Sequence, residues 1–532
     1  MAKKTYTMVR HALFMMAGTL ASRVLGLVRE INTAAFFGAS GALDAFNVAF
    51  TLANLARQLL AEGALSASFV PVFTRVLESQ GKERADRLAS QAFTVLMSAT
   101  LVTVFLGMVI SPLLVKIMAP GFDPVKTALA ISQTRWMFPF LFFVSLAALA
   151  MGVLNSLGSF LVPALAPALS NFVYIVLVIL LSSSFGIWGL VTAVLAGGFL
   201  QFALQWTWTM KMGISLMPGR PDLRDPDLRQ MVLLFLPYAA GLSLNQVNPV
   251  ISRMLASFLQ EGAISVLNYS NRVIQLPLGL FVIAVSQAVL PQLSKCSRED
   301  REEFREIMRD SLRFALFVVL PVTAGLVLIS GEVVHLLFVR GAFGRWAWEG
   351  TASALAMYSV GLPGMACTTV VLRGLYARGL PGGALRVTFS SVAATALFSA
   401  VLMVPLSFPG LALATSLSFT LSGWVGVRIL SRDLGGGLGV FSPGWAWRTA
   451  VSLAFMSAAA GSFRAILPYS PDASAGVRCG WILFIFLLAA AAYSMVTRLL
   501  GFQEWRWISA AFAPSGRKGY TSSETGKKEE GI

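Results

Sequence analysis

Seven ionisable side chains stand inside stretches that are otherwise apolar enough to cross a bilayer: Arg23, Arg29, Glu30, Asp44, Arg57, Glu62 and Arg272. A charge near the middle of a spanning helix costs about 2.5–3.5 kcal/mol on insertion scales, so each needs a destination other than lipid. Arginine stays protonated and grips phosphate or carboxylate through a planar fork. A polar cavity with surplus arginines is therefore expected to hold an anion, plausibly a phosphate or pyrophosphate. A site for protons or sodium would instead centre on carboxylates.

Three of the seven fall in ASRVLGLVRE, residues 21–30. Arg23 and Arg29, six residues apart, lie about 120° apart around a regular helix and cannot share one narrow face. Arg23 and Glu30, seven apart, can. Their pairing would make Arg23 a wall-holding residue and leave Arg29, on the side of Ser22, to grip the anion. Gly26 between them permits a bend that would turn both arginines inward. Asp44 follows GASGAL and is placed either to cap the start of its own helix or to face the cavity. Glu62 in AEGALS is placed to pair with Arg57 or another cation, or to snorkel towards water.

The elements that must position these groups are membrane-spanning helices. Of 532 residues, 56% are hydrophobic and only 12% charged, where soluble domains run near 25% charged; mean hydropathy is +0.73. Apolar runs of about 20 residues, the length that crosses a hydrocarbon core, recur from end to end. This predicts an all-α polytopic membrane protein with about fourteen transmembrane helices. The basic segments at the N-terminus, 74–87, 211–229, 294–313 and the tail are separated by even numbers of spans. By the positive-inside rule they and both termini face the cytoplasm. The segment 296–311 reads as an amphipathic cytoplasmic helix, and the polar tail 514–532 as disordered.

An internal repeat emerges at an offset of 221 residues. Asp44, Asn47, Thr51, Asn54, Gln58, Glu62 and Ser66 follow one another at steps of 3, 4, 3, 4, 4 and 4, which keeps them on one helical face. Ser265, Asn268, Arg272, Gln275 and Gly279 repeat the pattern in register. Gly18, Ser22, Gly26 and Arg29 are matched more loosely by Gly241, Asn245, Asn248 and Ser252. Six-helix repeats keep one orientation, so the lobes are related by an axis along the membrane normal. The expected organisation is a lobe over 1–218, a second over 219–436, two further helices over 437–513, and the tail. Helix–helix glue fits Asn245 and Asn248 as well as any function does; the fuller stripe from Asp44 to Ser66, with two acids and Arg57 nearby, points to a water-filled cavity.

Several function classes drop out. Cys296, Cys367 and Cys479 form no CxxC pair, and with only His11 and His335 no zinc constellation can be assembled. No GxxxxGK[ST] phosphate loop is present. The net charge of +16 resides mostly in loops and needs no nucleic acid to explain it. The first apolar run is expected to be an uncleaved helix rather than a signal peptide.

The block SRVLGLVRE (22–30), GASGALDAF (38–46) and NLARQLLAEGALSASFVPVF (54–73) closely resembles the N-terminal signature of the MurJ/MviN family of lipid II flippases. That family belongs to the multidrug/oligosaccharidyl-lipid/polysaccharide exporter superfamily. APGF at 119–122, PALAPALSN at 163–171, NRVIQLPLG at 271–279, LPQLSK at 290–295, FVRGAF at 338–343 and LYAR at 375–378 follow in the family's order. Carried over by motif, Arg23, Arg29, Arg57 and Arg272 match the family's substrate-binding arginines. Asp44 and Glu62 match its acidic positions. Departures are Glu30 for the usual Asp, Gln58 for a second basic residue, Thr51 and Ala53 for a lysine and a proline, and LYARGLPGGALR for a Tyr-Ala-Arg motif followed by Asp-Thr-Lys-Thr-Pro.

The resemblance implies a transporter rather than an enzyme, located in the bacterial inner membrane. It would move undecaprenyl-diphosphate-linked peptidoglycan precursor between leaflets by alternating access, without a cofactor and driven by an ion gradient or membrane potential. The cavity would be lined by Ser22, Gly26, Glu30, Asp44, Asn47, Thr51, Asn54, Gln58, Glu62, Asn268 and Gln275, and the last two helices would form a groove for the polyprenyl tail. Its partners would be lipid II and membrane lipids, with other cell-wall synthesis proteins as candidates. The alternatives are a multidrug or polysaccharide-repeat exporter and a membrane enzyme acting on polyprenyl phosphates. The latter would need an aspartate-rich metal motif or a catalytic His and Ser near a cytoplasmic surface, and none is present.

Overall fold

The computed structural model describes residues 2–59, 63–222, 224–243, 246–282, 293 and 300–507. Glu62, Asn245, LPQLSK apart from Leu293, and the tail from 508 lie outside the described residues. The first half comprises α1 (Ala2–Phe37), α2 (Gly41–Arg57), α3 (Gly63–Gln80), α4 (Lys82–Val109), α5 (Ser111–Met118), α6 (Pro124–Met137), α7 (Pro139–Ser156), α8 (Leu161–Phe185) and α9 (Ile187–Lys211). The second half comprises α10 (Pro226–Ser243), α11 (Val247–Ala256), α12 (Ala263–Pro277), α13 (Arg301–Phe338), α14 (Arg345–Val360), α15 (Leu362–Ala377) and α16 (Pro381–Asp433). α17 (Pro443–Ile466) and α18 (Ala475–Leu499) follow.

Among the described residues eight helical stretches are long and apolar enough to cross a membrane, nine if α14 and α15, bent by 43°, count as one span. The expected fourteen are not reached among the described residues: 60–62, between α2 and α3, and 244–245, between α10 and α11, lie outside them. α16, 53 residues long, folds back on itself at Ser407 (φ 54). Thr395 Oγ1 donates to Ser418 Oγ at 2.8 Å, although they are 23 residues apart, about 34 Å along a straight helix. Of the amphipathic helix expected over 296–311, the part from Arg301 onward is helical and opens the 38-residue α13, which continues into the span and kinks at Ile329.

The repeat is visible in the backbone. α2 widens into a π-turn at Gln58–Leu59, and α12 does so over Leu278–Val282. Between the lobes, α1 runs for 36 residues, and the corresponding α10 and α11 pack on different partners. α10 packs onto the first half, where Leu228 and Met231 share a core with Phe69, Phe73, Leu88 and Leu149. α11 instead joins α16, with Asn248 Nδ2 donating to Ser391 Oγ at 3.1 Å. α17 and α18 pack on each other and on α13 through Ile329, Ala460, Trp481 and Ile485.

Candidate functional site

At one end of the bundle the halves exchange helix caps. Asp44, 2% exposed, accepts from Gly262 N at 2.7 Å, Ser265 N at 2.9 Å and Ser265 Oγ at 2.7 Å. It therefore satisfies the free N–H groups at the start of α12. Glu261 returns the interaction, its Oε1 accepting from Gly41 N at 2.6 Å at the start of α2. The self-cap considered for Asp44 is not what forms: Ser40 accepts from Leu43 N, and Asp44, one turn further in, projects to the other half. Tyr269 OH donates to Gly38 O at 2.8 Å, and Ala342 N to Ala35 O at 2.8 Å. Together these bonds form a latch between the two halves.

Below the latch lies a cavity of about 170 Å³ lined from both halves, with Arg29, Glu30, Asn47, Thr51 and Asn54 on one side and Arg253, Asn268, Arg272 and Gln275 on the other. Glu30 Oε1 lies 2.9 Å from Arg29 Nη2 and 3.9 Å from Arg272 Nε. One carboxylate thus bridges a cation from each half. The Arg29 guanidinium lies between two rings, 4.9 Å from Tyr174 and 5.5 Å from Phe50. Thr33 and the Tyr174 hydroxyl, 3.1 Å apart, fix that ring.

The Arg23–Glu30 pair predicted from their seven-residue spacing is corrected. Glu30 is occupied by Arg29 and Arg272, and Arg23 makes no ion pair among the described residues. Arg23 lies about two turns further from the latch, against Gly279, in a second chamber of about 400 Å³ shared with Ser22, Asn171, Arg272 and Gln275. Gly26 is not a bend in α1. A methyl there would stand 3.1 Å from Arg272 Nη2, so its missing side chain gives Arg272 passage. Gln58 reaches a third chamber, about 410 Å³, with Thr51, Asn54, Asn248 and Arg253. Arg57 turns its Nε to Asn54 Oδ1 at 2.8 Å and lines none of these three chambers. Asn47 donates to Ser265 Oγ at 3.1 Å, and Arg272 Nη1 to Gln275 Oε1 at 3.4 Å.

Sequence reasoning missed Arg253, Asn271 and Tyr174 in this lining. Arg253 was legible as an arginine within VNPVISRMLA. It follows Ser252, which the looser repeat singles out instead.

Two helical lobes, latched at one end around a polar cavity with surplus arginines, define a polytopic membrane transporter. The profile of the family described as "Lipid II flippase MurJ" matches residues 33–470. The chain belongs to that family. It is 33% identical over 505 residues to a probable lipid II flippase MurJ of Rhizobium tropici, covering 91% of this chain and 92% of the relative. It is 34% identical over 441 residues to lipid II flippase MurJ of Burkholderia cenocepacia, covering 80% and 84%. Among solved structures it resembles lipid II flippase MurJ in an inward closed conformation, with a TM-score of 0.76 at 23% identity over 93% of this chain and 100% of that one. An inward-facing multidrug transporter of the MATE family shares the fold at a TM-score of 0.65 and 16% identity, covering 80% of this chain and 98% of the other.

Proposed function

We propose that this protein is a lipid II flippase of the bacterial inner membrane, moving an undecaprenyl-diphosphate-linked disaccharide-pentapeptide from the inner to the outer leaflet. The observation that carries the reading is the lobe-bridging site, where Glu30 is outnumbered by Arg29, Arg272 and Arg253 around one chamber. Surplus guanidinium at that depth suits a diphosphate. The chamber of about 170 Å³ is smaller than the roughly 300–1,000 Å³ that drug-sized ligands occupy. It admits a diphosphate-sized anion but not a glycopeptide headgroup, so the lobes must separate to pass the rest.

The basic segments assign the end opposite the latch, and both termini, to the cytoplasm. The latch then closes the periplasmic side while the two larger chambers continue towards the cytoplasm, an inward-directed state. Arg23 stands nearer that entrance, and Arg29 and Arg272 hold the deeper site. The polyprenyl tail stays in lipid against α17 and α18. Transport requires no cofactor in this scheme; an ion gradient or the membrane potential drives it, and one charge moved through 100 mV supplies about 2.3 kcal/mol.

The test is rescue of bacteria depleted of their own flippase, scored as lipid II exposed on the outer leaflet. Restored exposure is expected. Stable insertion of the chain without exposure overturns the reading.

A further inference from the structure

The last turns of α16 carry a graded stripe that the transport cavity does not use. Leu417, Leu421, Trp424, Arg428 and Arg432 follow at steps of 4, 3, 4 and 4 on one helical face. Leu417, Leu421 and Trp424 are exposed at 38%, 37% and 52%, and both arginines are exposed. Just beyond, Arg428 and Arg432 line a recess of about 410 Å³ with Ser431 and the glycines 435–437. Along the helix the surface passes from aliphatic to indole to guanidinium. A phospholipid meets it in the same order, from acyl chain through interface to phosphate.

The two arginines have no structural task that would absorb them. Carbonyls at the C-terminus of α16 are already satisfied: Ser431 O accepts from Gly436 N, Arg432 O from Gly435 N, and Leu434 O from Arg305 Nη2. Gly435, at φ 73, makes that reversal possible. The neighbouring carboxylate, Asp433, is held by Arg378 at 2.9 Å. Arg305 and Arg309 on α13 pair with Glu302 and with Glu306 and Asp310 respectively. Arg428 and Arg432 meet no carboxylate among the described residues. The Arg428 guanidinium lies 4.3 Å from the Trp424 ring, which orients it without neutralising it.

We propose that this recess binds the phosphate of an anionic phospholipid headgroup, with the acyl chain along Leu417, Leu421 and Trp424. The proposal rests on the chain's spanning a membrane and not on what it transports. Phosphate could also arrive as a free anion, but a soluble anion would leave the apolar half of the stripe without a role. Basic pockets at the cytoplasmic membrane surface take anionic headgroups in this way.

The full-length protein, in nanodiscs of phosphatidylcholine doped with phosphatidylglycerol, would be released and examined by native mass spectrometry for retained lipid. Preferential retention of phosphatidylglycerol is expected. Replacing both residues (R428Q with R432Q) should lower its apparent affinity by about thirtyfold. The double lysine variant, which preserves both charges, should retain most of it. In the unmodified protein, retention should fall with added sodium chloride, and no more with inorganic phosphate at matched ionic strength. Equal retention of both lipids, or undiminished retention in a folded glutamine variant, overturns the site. Specific displacement by inorganic phosphate overturns the lipid and leaves a soluble-anion site. Should the glutamine variant misfold, the salt and phosphate arms on unmodified protein decide the question. Either failure leaves lipid II exposure in the rescue assay untouched, so the two readings fall separately.

Discussion

Two clusters of charge lie within the helical bundle, and they are built on opposite principles. In the first, Glu30 is shared between Arg29 and Arg272 from different lobes, Arg253 has no carboxylate within ion-pair distance among the described residues, and all four line one chamber. The second joins the kinked end of α13 to α17 and α18. Glu332 pairs with Arg464 at 2.8 Å, and His335 Nδ1 meets the Tyr469 hydroxyl at 2.9 Å and Arg478 Nη1 at 3.4 Å. Trp348, Trp481 and Tyr469 pack around this second cluster. Cations from both lobes around one carboxylate beside open volume mark a place for a ligand; an ion pair and a histidine packed among aromatic rings mark a joint. The kinds of charged residue are largely the same in both, and open volume separates them.

The largest effect expected from that distinction is in transport. Arg29→Ala and Arg272→Ala should each abolish lipid II exposure in the rescue assay without loss of membrane expression. A charge-assisted contact is worth about 1.5–3 kcal/mol, so each should cost at least tenfold. Glu332→Gln, in the joint, should leave exposure within about twofold. Full activity of either arginine variant, or loss of exposure in folded Glu332→Gln, would erase the contrast.

The latch offers a second comparison, between two caps of unequal strength. Asp44 receives three donors and Glu261 one backbone donor. Asp44→Asn should weaken the closed end by about 2 kcal/mol, a shift of roughly thirtyfold towards separated lobes. Glu261→Gln should shift it about fivefold. Spin labels at the exposed positions Val125 and Arg345, one on each half, would report the separation. An unchanged distance distribution in Asp44→Asn would show that the caps do not hold this end.

The latch also shows what could be read in the sequence. The spacing of Asp44, Asn47 and Thr51 against Ser265, Asn268 and Arg272 revealed the repeat, because a polar face cannot be left to lipid. The helical fold and the membrane class followed from the low share of charge and the recurring apolar runs of about 20 residues. That Asp44 would cap α12 rather than α2 was not legible, since a cap is local in sequence only when its acceptor precedes the helix it serves. Arg23 and Glu30 share a face of α1 yet do not pair, because Arg272 arrives from the other lobe. No rule confined to one helix contains that competitor. Arg253 was lost because the stripe through Gly241, Asn245, Asn248 and Ser252 matches α1 only loosely and singles out the neighbouring residue.

A smaller effect is expected on stability at the joint. Removing Arg464, whose side chain is 47% exposed, leaves Glu332 buried with water able to reach only part of the gap. Arg464→Ala should lower unfolding stability by about 1–2 kcal/mol, read as a drop in Tm of the purified protein. Lipid II exposure should stay near that of the unmodified chain. A Tm unchanged within error would mean that the pair contributes nothing to holding α17 against α13.

Gly26 supplies the opposite dissociation, and the smallest effect. Alanine is favoured over glycine within a helix by about 1 kcal/mol, so Gly26→Ala should hold or raise the stability of α1. Its methyl, however, would stand 3.1 Å from Arg272 Nη2 and 3.7 Å from Asn171 Nδ2. The guanidinium must move a few tenths of an ångström, which disturbs its 3.9 Å approach to Glu30. Exposure of lipid II should fall about threefold, roughly 0.7 kcal/mol, while Tm holds or rises. A joint gives the reverse pattern, with Tm lost and transport kept. If Gly26→Ala lowers Tm and leaves transport intact, the passage for Arg272 is ordinary helix packing, and the site's geometry tolerates more play than one bridging carboxylate suggests.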